Sequence, residues 1–273
     1  MALQVALQLY TLRDDMATDF EGTLAKVAEM GYAGVEFAGL YGKSVQEVKA
    51  LLVKYNLQPV SAHVALAEML PDLDGVMAQY EELGCPYIAV PYLPEEYRPE
   101  AGHFTDTLDA IRKCGEAAKA HNMVLLYHNH DFEFTRVDGE YYLDTIYNKV
   151  PADLLQTELD TAWVNVGGED PAAYVRKYTG RAPVVHLKDF YMKGRQKDGL
   201  YELIGIDKKV ESNEESFGFR PVGHGMQDMP AIIKASEEAG AAWVVVEQDR
   251  PAPGQTPMES AALSRKYLKS IGL

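Results

Sequence analysis

The chain has 273 residues, of which 47% are hydrophobic and 25% charged, and its formal net charge at pH 7 is −15. This length and composition suit one globular domain with a sizeable core, and no run of about eighteen apolar residues indicates a membrane span. The acidic balance argues against nucleic acid as a partner, because phosphates are bound by Lys and Arg and the sequence contains no basic run.

Eight short apolar runs alternate with amphipathic segments, and each run is predicted to be a strand. The first run lies near the N-terminus, where the lack of basic residues and the acidic continuation favour a strand over a signal peptide. The predicted strands cover residues 5–10, 34–38, 59–64, 87–92, 123–130, 154–160, 183–189 and 243–249. Apolar residues at helical spacing predict helices over 20–31, 44–56, 73–84, 104–122, 171–180 and 229–240.

The regular alternation of strand and helix predicts a parallel sheet covered by helices. Eight units at a spacing of about 25–35 residues favour a single (β/α)₈ TIM barrel over residues 1–273. An open doubly wound sheet is the main alternative, but the phosphate-binding patterns GxGxxG and GxxxxGKS are both absent. Residues 190–222 are longer and more polar than the other connections, and we interpret them as a loop insertion over the mouth of the barrel.

Ionisable residues recur where the predicted strands end, which is the face that carries the active site in (β/α)₈ enzymes. The second, third and fifth to eighth strands supply Glu36, His63, His128, His130, Glu133, Glu158, Asp160, His186, Lys188, Glu247 and Asp249. Carboxylates with imidazole suit Mn²⁺, Mg²⁺, Co²⁺ or Zn²⁺. The pattern predicts a divalent metal ion that polarises a substrate carbonyl while a carboxylate removes the neighbouring proton.

The chain has two cysteines, Cys85 and Cys114, and they form no paired-thiolate motif. This usage is typical of a reducing compartment, so we expect a cytoplasmic protein. A small sugar-like molecule is the expected partner, with no nucleic acid and no membrane. Assembly into a homo-oligomer is compatible with a barrel, but no residue in the sequence indicates it.

The segments that carry these groups resemble the sugar phosphate isomerase/epimerase superfamily, whose fold is a xylose isomerase-like TIM barrel. The resemblance covers nearly the whole chain and includes SAHV (61–64), YHNHDFEF (127–134), ELDTAWV (158–164), HLKD (186–189) and VVEQD (245–249). The YHNHDFEF motif is similar to the branch of inosose dehydratase-like proteins and 3-keto-glycoside lyases. In the ketose 3-epimerases of this superfamily, Glu, Asp, His and Glu from strands five to eight hold the metal. The resemblance therefore implies Asp160, His186 and Glu247 as ligands.

The ligand from the fifth strand departs from the epimerase pattern, because Tyr127 or His128 stands where the epimerases have Glu. The resemblance then makes Glu133 a candidate ligand or base, and His128 or His130 is the alternative ligand. Expected catalytic residues are Glu133, Glu247 and Lys188. The residues expected to contact the substrate are Glu36, His63, His128, His130, Trp163 and His224.

The leading prediction is a metal-dependent isomerase or epimerase that removes a proton alpha to the carbonyl of a keto sugar or keto-polyol. A dehydratase or 3-keto-glycoside lyase would share this step and then expel a β substituent. A metal-dependent endonuclease acting at abasic DNA shares the barrel, but the net charge argues against it. A non-catalytic sugar-binding barrel is the remaining alternative, because one fold hosts many functions.

Overall fold

The computed structural model describes residues 3–194 and 217–273, and its central feature is a ring of eight parallel strands. These strands are β1 (Gln4–Gln8), β2 (Gly34–Phe37), β3 (Gln58–Ala62), β4 (Tyr87–Val90), β5 (Val124–His128), β8 (Gln156–Asp160), β9 (Val184–Leu187) and β12 (Trp243–Val246). They pair in the order β3-β2-β1-β12-β9-β8-β5-β4. A parallel bridge between His63 and Ala89 joins the two ends, so the barrel is nearly closed. All eight predicted strands and the TIM-barrel fold are confirmed.

Helices cover the outside of the ring, and the six predicted ones are present. The helices are α1 (Arg13–Thr18), α2 (Phe20–Met30), α3 (Val45–Tyr55), α4 (Leu66–Met69), α5 (Leu73–Leu83), α6 (Phe104–Ala120), α7 (Tyr142–Lys149), α8 (Thr161–Gly167), α9 (Pro171–Lys177), α10 (Met229–Ala239) and α11 (Pro257–Ser270). The helix α11 was not predicted, although a capping box formed by Thr256 and Glu259 marks its start. No helix in the described ranges has the length and apolarity that a membrane-spanning segment requires.

Two short antiparallel pairs lie outside the ring. The strands β6 (Arg136–Val137) and β7 (Glu140–Tyr141) form one pair, and β10 (Asp189–Met192) and β11 (Phe217–Arg220) form the other. The second pair consists of the two ends of the predicted insertion at 190–222, whose middle part, 195–216, lies outside the described residues. Phe190, Phe217 and Phe219 pack in one cluster with Trp163, so the pair is fixed to the barrel by aromatic packing.

The interior of the barrel contains two layers of side chains. An apolar plug fills its lower part, and ionisable side chains at the C-terminal ends of the strands form a titratable layer above the plug. Ala6, Val60, Ala89, Leu126, Val184, Trp243 and Val245 form the plug. Successive side chains of a strand point to opposite faces, so residues two apart lie on the same face. Leu126, Val184 and Val245 each precede by two residues a polar side chain that faces inward above the plug: His128, His186 and Glu247.

Candidate active site

Four side chains converge above the plug at the ends of four neighbouring strands: His128, Asp160, His186 and Glu247. Each offers one ligand atom, and these atoms all lie within 4.8 Å of one another. His128 Nε2 lies 3.7 Å from Asp160 Oδ2 and 3.9 Å from Glu247 Oε2, and His186 Nδ1 lies 3.1 Å from Glu247 Oε2. Such spacings suit ligands at about 2.0–2.2 Å from one ion. We call these four residues the upper group.

The chemistry of the upper group fits a divalent metal ion. Two imidazoles and two carboxylates match the donors that Zn²⁺, Mn²⁺ and related ions accept. Asp160 Oδ1 accepts hydrogen bonds from the backbone N–H groups of Ala162 and Trp163 and so caps α8. Asp160 Oδ2 is buried and makes no hydrogen bond of good geometry within the described ranges, and its cationic neighbour is the ammonium of Lys188, so it is the oxygen that faces positive charge.

Lys188 places a buried ammonium beside the upper group. Its Nζ lies 3.1 Å from Asp160 Oδ2, 2.9 Å from Glu247 Oε2 and 2.9 Å from Asp249 Oδ2. Burial would lower the pKa of Lys188, but the three carboxylates outweigh it and hold that pKa well above its ordinary value. The lysine is therefore charged, and its charge is already matched by carboxylates of the protein.

A second set of buried groups lies beside the upper group and shares its two histidines. This lower group consists of His63, His128, Glu158 and His186, whose ligand atoms also lie within 4.8 Å of one another. His63 Nε2 lies 2.6 Å from Glu158 Oε1. Glu36 adjoins the lower group, with Oε1 2.8 Å from His186 Nε2 and 3.1 Å from His63 Nε2.

The lower group separates the protonation states of its members. Burial opposes charge on Glu36, but His63 and His186 hold the pKa of this carboxyl well below its ordinary value. Burial also opposes charge on His63, but Glu36 and Glu158 raise its pKa to about 10. Burial lowers the pKa of His128 well below the ordinary value, helped by the charge of His186. His128 is therefore neutral, which is the form of imidazole that binds metal.

A cavity of about 360 Å³ opens above these groups. His63, His128, His130, Lys188, Glu247 and Asp249 line it, together with Tyr10, Tyr92 and, at the rim, Glu68. Glu36 and Trp163 do not line it. Glu36 is fully buried beside the lower group, and Trp163 is fully buried next to His130, with ring centroids 5.3 Å apart. Sequence reasoning left Asp249 without a role, although it lies two residues beyond Glu247.

Glu133 lies away from both groups. It is fully buried, and its two oxygens accept hydrogen bonds from Tyr127 Oη at 2.7 Å and from the backbone N–H of His130 at 2.8 Å. Neither group of converging ligand atoms in the described residues includes it. This placement gives Glu133 the role of fixing the connection after β5, in place of the expected role as ligand or base.

His224 also lies away from the cavity. It is exposed and packs near Tyr267, with ring centroids 6.4 Å apart. Its turn is held by Asp189, which accepts hydrogen bonds from the backbone N–H groups of Gly223, Gly225 and Gln227. The expectation that His224 contacts the substrate has no support in this geometry.

We expect Glu133→Gln to remove a pH-dependent loss of stability. Burial raises the pKa of Glu133 to about 8. A carboxyl whose pKa is raised on folding contributes stability that is present below pH 4.5 and is lost as the pH rises through 8. Glutamine resembles the protonated acid, so the variant should match the wild type at pH 5 and unfold at a higher temperature at pH 9.

Thermal unfolding at pH 5, 7 and 9 measures this difference. A variant whose melting temperature falls below that of the wild type by the same margin at all three values would show that ionisation of Glu133 does not matter. The metal content of the variant tests the sequence-based alternative. We expect it to be unchanged, whereas a metal ligand would lose the ion on this substitution.

Comparison with known proteins identifies the family of the chain. A model of the xylose isomerase-like TIM barrel matches residues 24–271. The chain belongs to this family. The resemblance inferred from the strand-end motifs is thereby confirmed.

Relatives in this family include named enzymes. The chain is 24% identical over 274 residues to an inosose dehydratase of Clostridium beijerinckii, an alignment that covers 92% of this chain and 89% of the relative. A sugar phosphate isomerase/epimerase of Parabacteroides distasonis has a similar structure, with a TM-score of 0.77 at 23% identity over 100% of this chain and 96% of the other. The structure of IOLI protein with a zinc atom matches with a TM-score of 0.73 at 17% identity, covering 98% of each chain. The prediction that this chain is an enzyme is confirmed.

Proposed function

We propose that the chain is a metal-dependent dehydratase that eliminates water from a keto-polyol or keto sugar. The observation that carries the proposal is the convergence of His128, Asp160, His186 and Glu247, of which His128 and Glu247 line the cavity. The similarity to an inosose dehydratase over 92% of the chain favours elimination over isomerisation. The zinc atom in a structure of the same fold is compatible with a metal ion in this chain.

The upper group would hold the ion, and His128 would replace the glutamate of the epimerase pattern. A divalent ion bound there supplies Lewis acidity toward the substrate carbonyl. Lys188 adds a fixed positive charge within 3.1 Å of the same carboxylates, so negative charge that develops on the substrate oxygen is stabilised.

Two groups lining the cavity have suitable positions for proton transfer. Asp249 is the buried carboxylate of the lining that does not belong to the upper group, and we assign it the removal of the proton alpha to the carbonyl. The electrons of that C–H bond form an enolate. His63, held charged by Glu36 and Glu158, then donates a proton to the departing β-hydroxyl. The C–O bond breaks, and water and an enone are released.

The charges of the cavity favour a neutral substrate over a phosphorylated one. The charged side chains of its described lining are Glu68, Lys188, Glu247 and Asp249, besides the histidines. Lys188 is matched by three carboxylates, and the charge of His63 is matched by Glu36 and Glu158, so no unmatched side-chain cation is left for a phosphate group within that lining. A phosphate group would therefore compete with carboxylates of the protein for these cations, which disfavours its binding.

A product assay in D₂O tests the proposed reaction. The purified protein is loaded with Zn²⁺, Mn²⁺ or Co²⁺ and incubated with an inosose, a 3-keto-glycoside and a keto-sugar phosphate. We expect an enone with the inosose and at least about tenfold lower kcat/KM with the phosphate, a difference of about 1.4 kcal/mol. Enone formation is followed by ultraviolet absorbance and NMR.

The same assay distinguishes the alternatives. A stereoisomer that carries deuterium but no enone would show an epimerase, and release of the aglycone from the glycoside would show a lyase. If no substrate exchanges a proton with any of the three metals, the proposed reaction is wrong. Asp249→Asn tests the assignment of the base, because it keeps the shape of the cavity while removing the carboxylate that is proposed to take the alpha proton.

A further inference from the structure

We propose that Glu36 and Glu158 are positioning residues that each hold one nitrogen of a metal-binding histidine. Glu36 would act on His186 and Glu158 on His128. The inference rests on the metal site in the proposed function, but it is independent of the reaction catalysed there. It replaces the expectation that Glu36 contacts the substrate.

Each of the two rings spans the gap between the upper group and a buried carboxylate. His128 directs Nε2 toward Asp160 and Glu247, while its Nδ1 lies 3.3 Å from Glu158 Oε1. His186 directs Nδ1 toward Glu247, while its Nε2 lies 2.8 Å from Glu36 Oε1. One nitrogen of each ring is therefore at the ion site, and the other is beside a carboxylate.

The nitrogens beside the carboxylates are the ones that require a partner. His128 Nδ1 and His186 Nε2 are buried and make no hydrogen bond of good geometry in the described part of the chain, although carboxylate oxygens lie near them. When one nitrogen of a neutral imidazole binds a metal, the other carries the proton. A buried N–H without an acceptor costs about 1–3 kcal/mol. Ligation at the upper group would therefore direct these protons to Glu36 and Glu158.

Both carboxylates are held in place from another side. Gln8 Nε2 donates to Glu36 Oε1 at 2.7 Å, and His63 Nε2 lies 2.6 Å from Glu158 Oε1. Both glutamates are fully buried. A carboxylate that is held this way fixes the tautomer and the orientation of the ring beside it, and metal-binding histidines usually have such a partner.

The alternative is a second ion bound by the lower group. His128 and His186 would then each bridge two ions, which requires both nitrogens of both rings to lose their protons. Positioning leaves one proton on each ring, which is the proton count of a neutral imidazole. The two accounts differ in stoichiometry, since positioning predicts one ion per chain and the alternative predicts two.

Metal binding by Glu36→Gln and Glu158→Gln tests the proposal. The probe is Zn²⁺ alone, in competition with a chelating dye, and the ion count per chain is measured by mass spectrometry. We expect one ion in the wild type and an affinity about 10–100-fold weaker in each variant. The visible spectrum of the Co²⁺-loaded variants should also change, because the rings bind at a different angle.

Asp144→Asn is the matched control. Asp144 is a buried carboxylate that accepts hydrogen bonds from Tyr174 and Tyr178 and pairs with Lys177, away from the ion site. We expect it to lower the unfolding temperature without changing Zn²⁺ affinity. If a glutamine variant fails to fold, Glu36→Asp and Glu158→Asp keep the charge and withdraw the oxygens by one methylene. The same weakening is expected of them.

Two results would overturn the proposal. One is wild-type Zn²⁺ affinity and an unchanged Co²⁺ spectrum in folded variants of both glutamates. The other is two ions in the wild type with one lost in Glu158→Gln. Both measurements use the metal alone, so a failure to find dehydratase activity leaves them interpretable.

Discussion

Asp160→Asn is expected to abolish stoichiometric metal binding and to lower kcat by more than about a hundredfold. Substitution of a residue that only hydrogen-bonds to a metal ligand lowers activity by about 10–100-fold, so the loss of a ligand itself should cost more. The amide oxygen of asparagine still accepts the hydrogen bonds of Ala162 and Trp163 that cap α8. Its NH₂ group then occupies the position of Oδ2 and cannot bind an ion. The metal-free variant should therefore unfold within a few degrees of the metal-free wild type. Metal analysis and steady-state kinetics measure the two effects.

The same change at the next helix provides the control. Asp170 caps α9 by accepting a hydrogen bond from Ala173, and it does not belong to either group of converging ligands. Asp170→Asn should retain the metal and its affinity. Metal content of the wild-type level in folded Asp160→Asn would rule out the upper group as the ion site.

Lys188→Met is expected to make the stability of the protein depend on metal. The variant leaves Asp160, Glu247 and Asp249 buried without their cation, and breaking such a buried pair costs about 3–5 kcal/mol. A divalent ion replaces the missing charge. We therefore expect the variant to bind Zn²⁺ more tightly than the wild type, in which the ammonium repels the ion, and yet to turn over substrate more slowly.

Urea unfolding with EDTA and with excess Zn²⁺ measures both parts of this prediction. The stability gained on adding Zn²⁺ should be larger in the variant than in the wild type. Lys177→Met is the control, because Lys177 pairs with a carboxylate, Asp144, but is half-exposed and distant from the ion site. A Lys188→Met protein that is as stable in EDTA as the wild type would contradict the assigned charge balance.

The barrel and three of the four upper-group residues are predictable from sequence for the same reason. Strand side chains alternate between faces, and the apolar runs end in a polar residue that continues the inward-facing row. Asp160, His186 and Glu247 each stand at such an end. Helices α1 and α4 are not predicted because they have six and four residues, too few to show a helical period.

The fifth strand shows why the YHNHDFEF motif alone does not identify the candidate ligand. Leu126 belongs to the plug, so His128, two residues later, faces inward. Tyr127 faces outward into the layer between strands and helices, and Glu133 follows it there and accepts its hydroxyl. The motif suggests that the side chain of Glu133 returns to the candidate metal site. Tyr127 instead faces the helix side of the strand, and its hydrogen bond to Glu133 lies on that side. His224 was expected to contact the substrate, but its position is set by the turn that Asp189 holds. That contact joins segments distant in sequence, so no local pattern predicts it.

The apolar plug below the titratable layer determines how protons enter and leave. Because Ala6, Val184, Val245 and their neighbours fill the axis, the described residues leave the layer open toward the cavity and closed by apolar side chains on the opposite side. A substrate bound in the cavity would lie between the layer and bulk water. The proton taken by Asp249 then stays with the enzyme until product departs, so a labelled hydrogen removed from one substrate molecule should be returned to it more often than it is lost to solvent.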